Sequence, residues 1–340
     1  MDLLKEKRAL IKKLEENFPK GFRVVVMPHF CVDNFVHCEQ PFESFIKDVK
    51  NIVLQGGGNI PLKQNLHRGG KAANCASALA SLGVYTYLIA KTNSLGYKLL
   101  EHFFGGKCVD LSHVSKDGEL AFTTALELKG VNIMLSYPGS LSKFGPECIS
   151  EKDEELIEEA DVVCISDWGM NDKGTELAKH VFSIAKEGNA LTFFDPGDPS
   201  PKKEKEQVEI NRVKTILEEG LVDILSVNED EIKRYGGVDF LRSVTRIDLH
   251  TEQYVKTYYK DKETEKIPTF NVEPIRLTGA GDAWNSGDIL AELLHLPDAQ
   301  RLMLANAVAA YYISHPAGAH ASREKLAEFL QSATLRTGIL

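Results

Sequence analysis

Apolar runs of four to six residues alternate with longer segments whose apolar positions recur at helical spacing. Runs at 22–27, 162–166, 191–195 and 222–227 read as strands, and 173–186 and 208–219 read as amphipathic helices between or after them. This alternation predicts β-α-β units, hence a parallel sheet covered by helices on both faces. Three further helices are expected at 283–294, 299–314 and 322–332. Two regions break the rhythm. Residues 36–66 form a long connection containing Gly56-Gly57-Gly58 and Pro61. Residues 121–137 read as two strands, 122–128 and 131–137, joined by Lys129-Gly130. Both are expected to belong to a small β lid, which would keep water from a reacting group.

The first 20 residues place Leu3, Leu4, Leu10, Ile11, Leu14 and Phe18 among Lys and Glu. That pattern predicts an amphipathic helix, packed on the domain or on a partner subunit, and lacks the unbroken apolar core of a signal peptide. The expected organisation is therefore an extension over 1–21 and one domain over 22–340. A net charge of −9 in 340 residues argues against general affinity for nucleic acid or an anionic membrane. No run approaches the roughly 20 apolar residues of a membrane-spanning helix. The six cysteines, Cys31, Cys38, Cys75, Cys108, Cys148 and Cys164, contain no C-x-x-C pair. They read as reduced thiols of a cytoplasmic protein, not as a zinc site.

Ligands of such sheets collect beyond the C-terminal ends of the strands, where Asp195, Asn228 and the loop at 278–282 are expected. In Thr278-Gly279-Ala280-Gly281-Asp282, small residues leading into a helix expose backbone N–H groups that suit phosphate oxygens. A carboxylate beside an anion site has a purpose if it takes the proton of an attacking hydroxyl. The same residues also suit a Gly-rich turn with Asp at a helix cap. Arg68-Gly69-Gly70-Lys71-Ala72-Ala73-Asn74 opens a small-residue helix, and Asn74 offers donors and an acceptor for a sugar-like hydroxyl. Asn228 and Glu231, in Asn228-Glu229-Asp230-Glu231, either cap a helix or hold water around Mg²⁺, which keeps most of its waters. Asp33, after the first strand, is either a turn residue or a carboxylate for substrate hydroxyls.

These segments resemble, in order and spacing, the signatures of the ribokinase-like (PfkB) family of carbohydrate and nucleoside kinases. Gly69 to Asn74 is similar to the N-terminal signature, Thr278 to Asp282 to the C-terminal one, and Asn228 to Glu231 to its N-x-x-E motif. Asp33 falls where the family has a substrate-binding Asp, and the helix around Asn306 resembles the one bordering the adenine pocket. The resemblance implies an α/β fold, a three-layer α/β/α sandwich with a small β-sheet lid. It implies Asp282 as base, the backbone of 279–282 as anion hole, and substrate binding by Asp33, Gly69, Gly70, Lys71 and Asn74. Nucleotide would meet Thr278, Gly279, Gly281, Asn228, Asn306 and His250, with Mg²⁺ held through water by Asn228 and Glu231.

Two departures bear on the donor and acceptor. Arg276-Leu277 replaces the usual Asp-Thr before the loop, and 248–254 lacks the glycines of many ATP users; His250-Thr251 looks more like the ADP-dependent sugar kinases. The sequence thus implies a Mg²⁺-dependent kinase using ATP, or ADP, on a sugar-like hydroxyl. The alternatives are a nucleoside kinase, an ADP-dependent kinase of a sugar phosphate, and a non-catalytic sugar- or nucleotide-binding regulator. Arg68, Lys71 and Arg276 raise the idea of an acceptor that already carries phosphate. The lid's strand edges make a homodimer through the lid a further expectation.

Overall fold

The computed structural model describes residues 2–16, 21–129, 131–316 and 318–338. Phe18 and the Gly130 turn lie outside the described residues. Strands Val24–Met27, Val162–Ser166, Leu191–Asp195, Ile224–Val227 and Arg246–His250 run parallel, with Thr86–Leu88 and Val109–Asp110 beyond Val24–Met27. Tyr254–Tyr258 and Ile267–Pro268 add antiparallel strands at the other edge, completing a nine-stranded sheet. Successive residues of a strand face opposite sides. Val24 and Val26 accordingly join the core beneath helices Lys71–Ser81, Ala280–Leu293 and Asp298–Ser314. Val25 and Met27 join the core under Gly174–Glu187 and Glu206–Glu218. The sheet is buried on both faces, as the alternation predicts.

A second, four-stranded sheet grows from the C-terminal end of Val24–Met27, where the chain passes through residues 28–30 into Cys31–Cys38. Its order is Lys63–Gly69, Cys31–Cys38, Ala121–Leu128, Val131–Tyr137. Two expectations are corrected here. Residues 36–66 are not merely a β connection: helix Phe42–Leu54 occupies their centre. Phe42, Phe45, Ile46, Val49, Ile52 and Val53 recur at helical spacing, yet none of them is buried. Asp33 is not a turn residue after the first strand. It lies inside Cys31–Cys38, opposite His67 and Thr123.

The N-terminal helix Leu3–Glu15 is capped by Asp2, whose carboxylate accepts from the N–H groups of Leu4 and Lys5. It buries Leu10 and Leu14 against the C-terminal helices of the same chain. All six cysteines are free thiols. Among the described residues no helix is long and apolar enough to cross a membrane.

Candidate active site

The helix Ala280–Leu293 starts in the manner an anion site requires. Its cap, Gly279, has φ +86°, and a Cβ there would lie 2.7 Å from the Tyr312 hydroxyl. Both the left-handed backbone and the close approach call for glycine. Tyr312 Oη donates to the Thr278 carbonyl at 3.2 Å, which fixes the loop from behind. The Ala280 N–H is taken by the Leu277 carbonyl (3.1 Å). Helix geometry leaves the N–H groups of Gly281 and Asp282 without an intrahelical partner. The helix cap is therefore Gly279, and Asp282 sits in the first turn.

The Asp282 carboxylate is buried, at 6% exposure. Asn74 Nδ2 donates to its Oδ2 at 2.9 Å across 208 residues of sequence. Burial pushes its pKa up to about 6. Lys71 and the Asn74 hydrogen bond work against the rise, and the negative charges of Asp195 and Asp167 add to it.

Lys71 is clamped on Asp195, its Nζ donating to both carboxylate oxygens at 3.0 and 3.1 Å. Burial opposes its charge, but Asp195, Asp282, Asp167 and Glu231 outweigh that and hold it cationic. Asp195 is fixed in turn by Asn285 Nδ2 (2.8 Å), and Asn285 Oδ1 accepts from Ser226 Oγ (2.6 Å). His29 pairs with Asp167 at the neighbouring strand ends.

Asp33 lies against the glycine pair. A Cβ on Gly69 would sit 2.3 Å from its carboxylate, and Cys31 Sγ donates to its Oδ1 at 3.1 Å. Burial raises the Asp33 pKa, opposed by the Cys31 hydrogen bond and by His29, His67 and Arg68.

Asn228 and Glu231 form a reciprocal cap. Asn228 Oδ1 accepts from the N–H groups of Asp230 and Glu231, and Glu231 Oε2 accepts from the Asn228 N–H, each at 2.9 Å. The Glu231 side chain is also buried. Burial, followed by the negative charge of Asp195, pushes its pKa up to about 7.

His250 ends its strand with its ring 5.1 Å from that of Trp284, facing Gly281. Burial pushes its pKa down to about 4, so the ring is neutral at pH 7. Asn306 stands behind this pair: it accepts from Trp284 Nε1 (3.1 Å) and donates to the Pro268 carbonyl (3.2 Å). Its amide is thus engaged in packing and positions Trp284.

The fold gathers Asp282, Asn74, Lys71, Glu231, Gly281 and His250 at one end of the sheet. Thr278 is exposed. Sequence reasoning missed His29, Asp167, Ser226 and the clamp on Asp195. His29 and Asp167 sit just past the ends of parallel strands, which is the signal that could have found them. Among the described residues no group of three or more His, Cys, Asp or Glu could hold a metal ion by itself.

A carboxylate beside free helix N–H groups, at the strand ends of such a sandwich, defines a phosphotransferase acting on hydroxyl groups. The chain belongs to the pfkB family of carbohydrate kinases, whose family model matches residues 44–247. It is 25% identical over 247 residues to the 5-dehydro-2-deoxygluconokinase of Clostridium perfringens, covering 66% of this chain and 72% of the relative. Its fold is similar to that of Arabidopsis thaliana ribokinase complexed with ribose and ATP, with TM-score 0.70, 19% identity, and coverage of 91% and 98% of the two chains. It is also similar to Burkholderia thailandensis nucleoside kinase in complex with inosine, with TM-score 0.68, 16% identity, and coverage of 92% and 98%.

Proposed function

We propose that the protein is a Mg²⁺-dependent sugar kinase that moves the terminal phosphate of ATP to a hydroxyl of a sugar-like acceptor, with Asp282 as base. The observation that carries this reading is the buried Asp282 carboxylate in the first turn of its helix, held by Asn74 and with its pKa pushed up to about 6. Such a group is ionised at pH 7 and basic enough to take a proton from an attacking hydroxyl.

Asp33 and Asn74 orient the acceptor. Asp282 takes its proton as the oxygen attacks in line. The backbone at 279–282 meets the charge on the transferring phosphoryl group. The Gly281 and Asp282 N–H groups do most of this, since Ala280 is spent on Leu277. A preorganised donor of this kind is worth about 3–4 kcal/mol. Lys71, fixed by Asp195, supplies positive charge beside Asp282. The four-stranded sheet acts as the lid that excludes water.

Glu231 fits a Mg²⁺ role. Its carboxylate is crowded by Asp195 and destabilised by burial, which a cation relieves. With Asn228 it would hold the ion through water. Mg²⁺ supplies charge neutralisation on the nucleotide phosphates.

His250-Thr251, at the end of its strand and with no glycine before Tyr254, resembles the ADP-dependent sugar kinases and favours one second reading, ADP as donor. The edge strands Lys63–Gly69 and Val131–Tyr137 expose Leu66, Met134, Leu135 and Tyr137, which supports a homodimer through the lid. The free thiols support a cytoplasmic setting. The test is a screen of sugars, sugar phosphates and nucleosides with ATP and ADP separately, Mg²⁺ present. Turnover of a sugar-class acceptor is expected. Turnover of nucleosides alone, or binding without turnover, refutes the sugar-kinase reading.

A further inference from the structure

Two guanidinium side chains near the loop at 278–282, Arg68 and Arg276, bury an Nε that has no hydrogen-bond partner among the described residues, and the neutral ring of His320 buries its Nε2 beside them. Leaving such donors unmet is costly. Arg276 and His320 meet on one ring. Arg276 lies over Tyr312 at 6.0 Å, and the His320 ring is 4.7 Å from the same tyrosine. Tyr312 in turn abuts Gly279. Arg68 lies over Phe104 at 5.5 Å, one residue before the Gly69 that covers Asp33.

Little opposes this charge. The acidic groups facing Arg68 are Asp282 and Asp33 of the site itself, with Tyr312 beside them. Lys107 adds another cation beside Arg68 and donates to Ser77 Oγ (3.0 Å), a neutral acceptor. Burial, followed by the charges of Arg68 and Lys107, pushes the His320 pKa well down, so its ring is neutral. Arg276 also donates to the Pro316 carbonyl at 3.2 Å, a neutral acceptor. By contrast Lys71 is already consumed by Asp195, so it is not part of this group.

The position decides which substrate is concerned. Gly281 turns toward His250, whereas Gly279 turns toward Tyr312. The cations therefore stand on the Asp33 side of the loop and away from the His250–Trp284 pair. We infer that Arg68, Arg276 and Lys107 form an anion subsite on the acceptor side, and that the acceptor is a sugar bearing a phosphate or carboxylate group. Guanidinium groups match both anions with paired hydrogen bonds. This inference rests on the kinase reading for its acceptor, but the subsite itself does not.

The test uses the full chain with Mg²⁺ and compares ribose with ribose 5-phosphate, and glucose with gluconate and glucose 6-phosphate. An anionic member should exceed its neutral parent in kcat/KM by about 10–100-fold, and the phosphate and acid arms separate the two anions. Arg68→Ala and Arg276→Ala should each raise the KM for that anionic sugar about ten-fold and leave the nucleotide KM within about two-fold. Arg68→Lys, which keeps the charge, should recover part of the loss. Inorganic phosphate, titrated by calorimetry without nucleotide, should bind the native chain and bind Arg68→Ala about ten-fold more weakly. If no sugar is turned over but this binding difference persists, the subsite stands and the kinase reading falls. If neutral sugars are preferred and Arg68→Ala changes nothing, the kinase reading stands and the subsite is refuted. A rise in the nucleotide KM alone assigns the cations to the donor and also refutes it.

Discussion

Asp282→Asn separates chemistry from stability. In the native fold the Asp282 pKa is pushed from 3.8 to about 6 by burial and neighbouring carboxylates. The folded state therefore binds more protons than the unfolded chain between those values. Stability falls as pH rises through that window, and the full penalty is present above about pH 6. At about 1.36 kcal/mol for each pH unit, the penalty is about 3 kcal/mol. Asn removes the charge, and its amide oxygen can still accept from Asn74. The variant should thus be more stable than the native chain by up to about 3 kcal/mol at pH 7.5, with the gain vanishing below about pH 4. For a chain of 340 residues that is a rise in Tm of about 4 °C. Turnover should fall by about 10²–10⁴-fold, the usual worth of a positioned base, with nucleotide affinity unchanged. In the native enzyme kcat should climb as pH rises through about 6. Calorimetry across pH and steady-state kinetics read both effects. A destabilised variant at pH 7.5, a gain independent of pH, or near-normal turnover would each refute the reasoning.

Two other substitutions probe the supports of the site. Lys71→Met strands the buried Asp195 with Asn285 as its remaining side-chain donor. It should cost about 3–5 kcal/mol in urea unfolding, and an unchanged midpoint would remove the clamp from the account. Gly279→Ala forces a left-handed φ of +86° and a 2.7 Å approach to Tyr312 Oη. It should lower kcat by about 100-fold, while a small change in kcat would show that the loop needs no such backbone.

The parallel strands and the three late helices were legible because each buries a periodic apolar pattern within one short segment. The glycine motifs were legible because conformation and close approach leave glycine few substitutes at Gly69 and Gly279. What escaped was long-range or unusual. Lys71 looked free for phosphate, but its partner Asp195 lies 124 residues away, and nothing local announces the pairing. Helix Phe42–Leu54 had a readable period but no buried residue, so a reading based on core formation passed over it. Asp33 seemed to follow the first strand because residues 28–30 are too short a break to separate two sheets by pattern alone. Asn228 and Glu231 presented two readings. The structure displays the cap; holding an ion through water is what we propose for the same carboxylate.

The most direct test of phosphoryl transfer to a hydroxyl is ³¹P NMR of the protein with nucleotide, Mg²⁺ and the best acceptor from the screen. The account predicts a phosphate monoester of the acceptor appearing in equal amount with the shortened nucleotide, and loss of both signals in Asp282→Asn. Release of inorganic phosphate in place of the ester, or ester formation that survives Asp282→Asn, would contradict it.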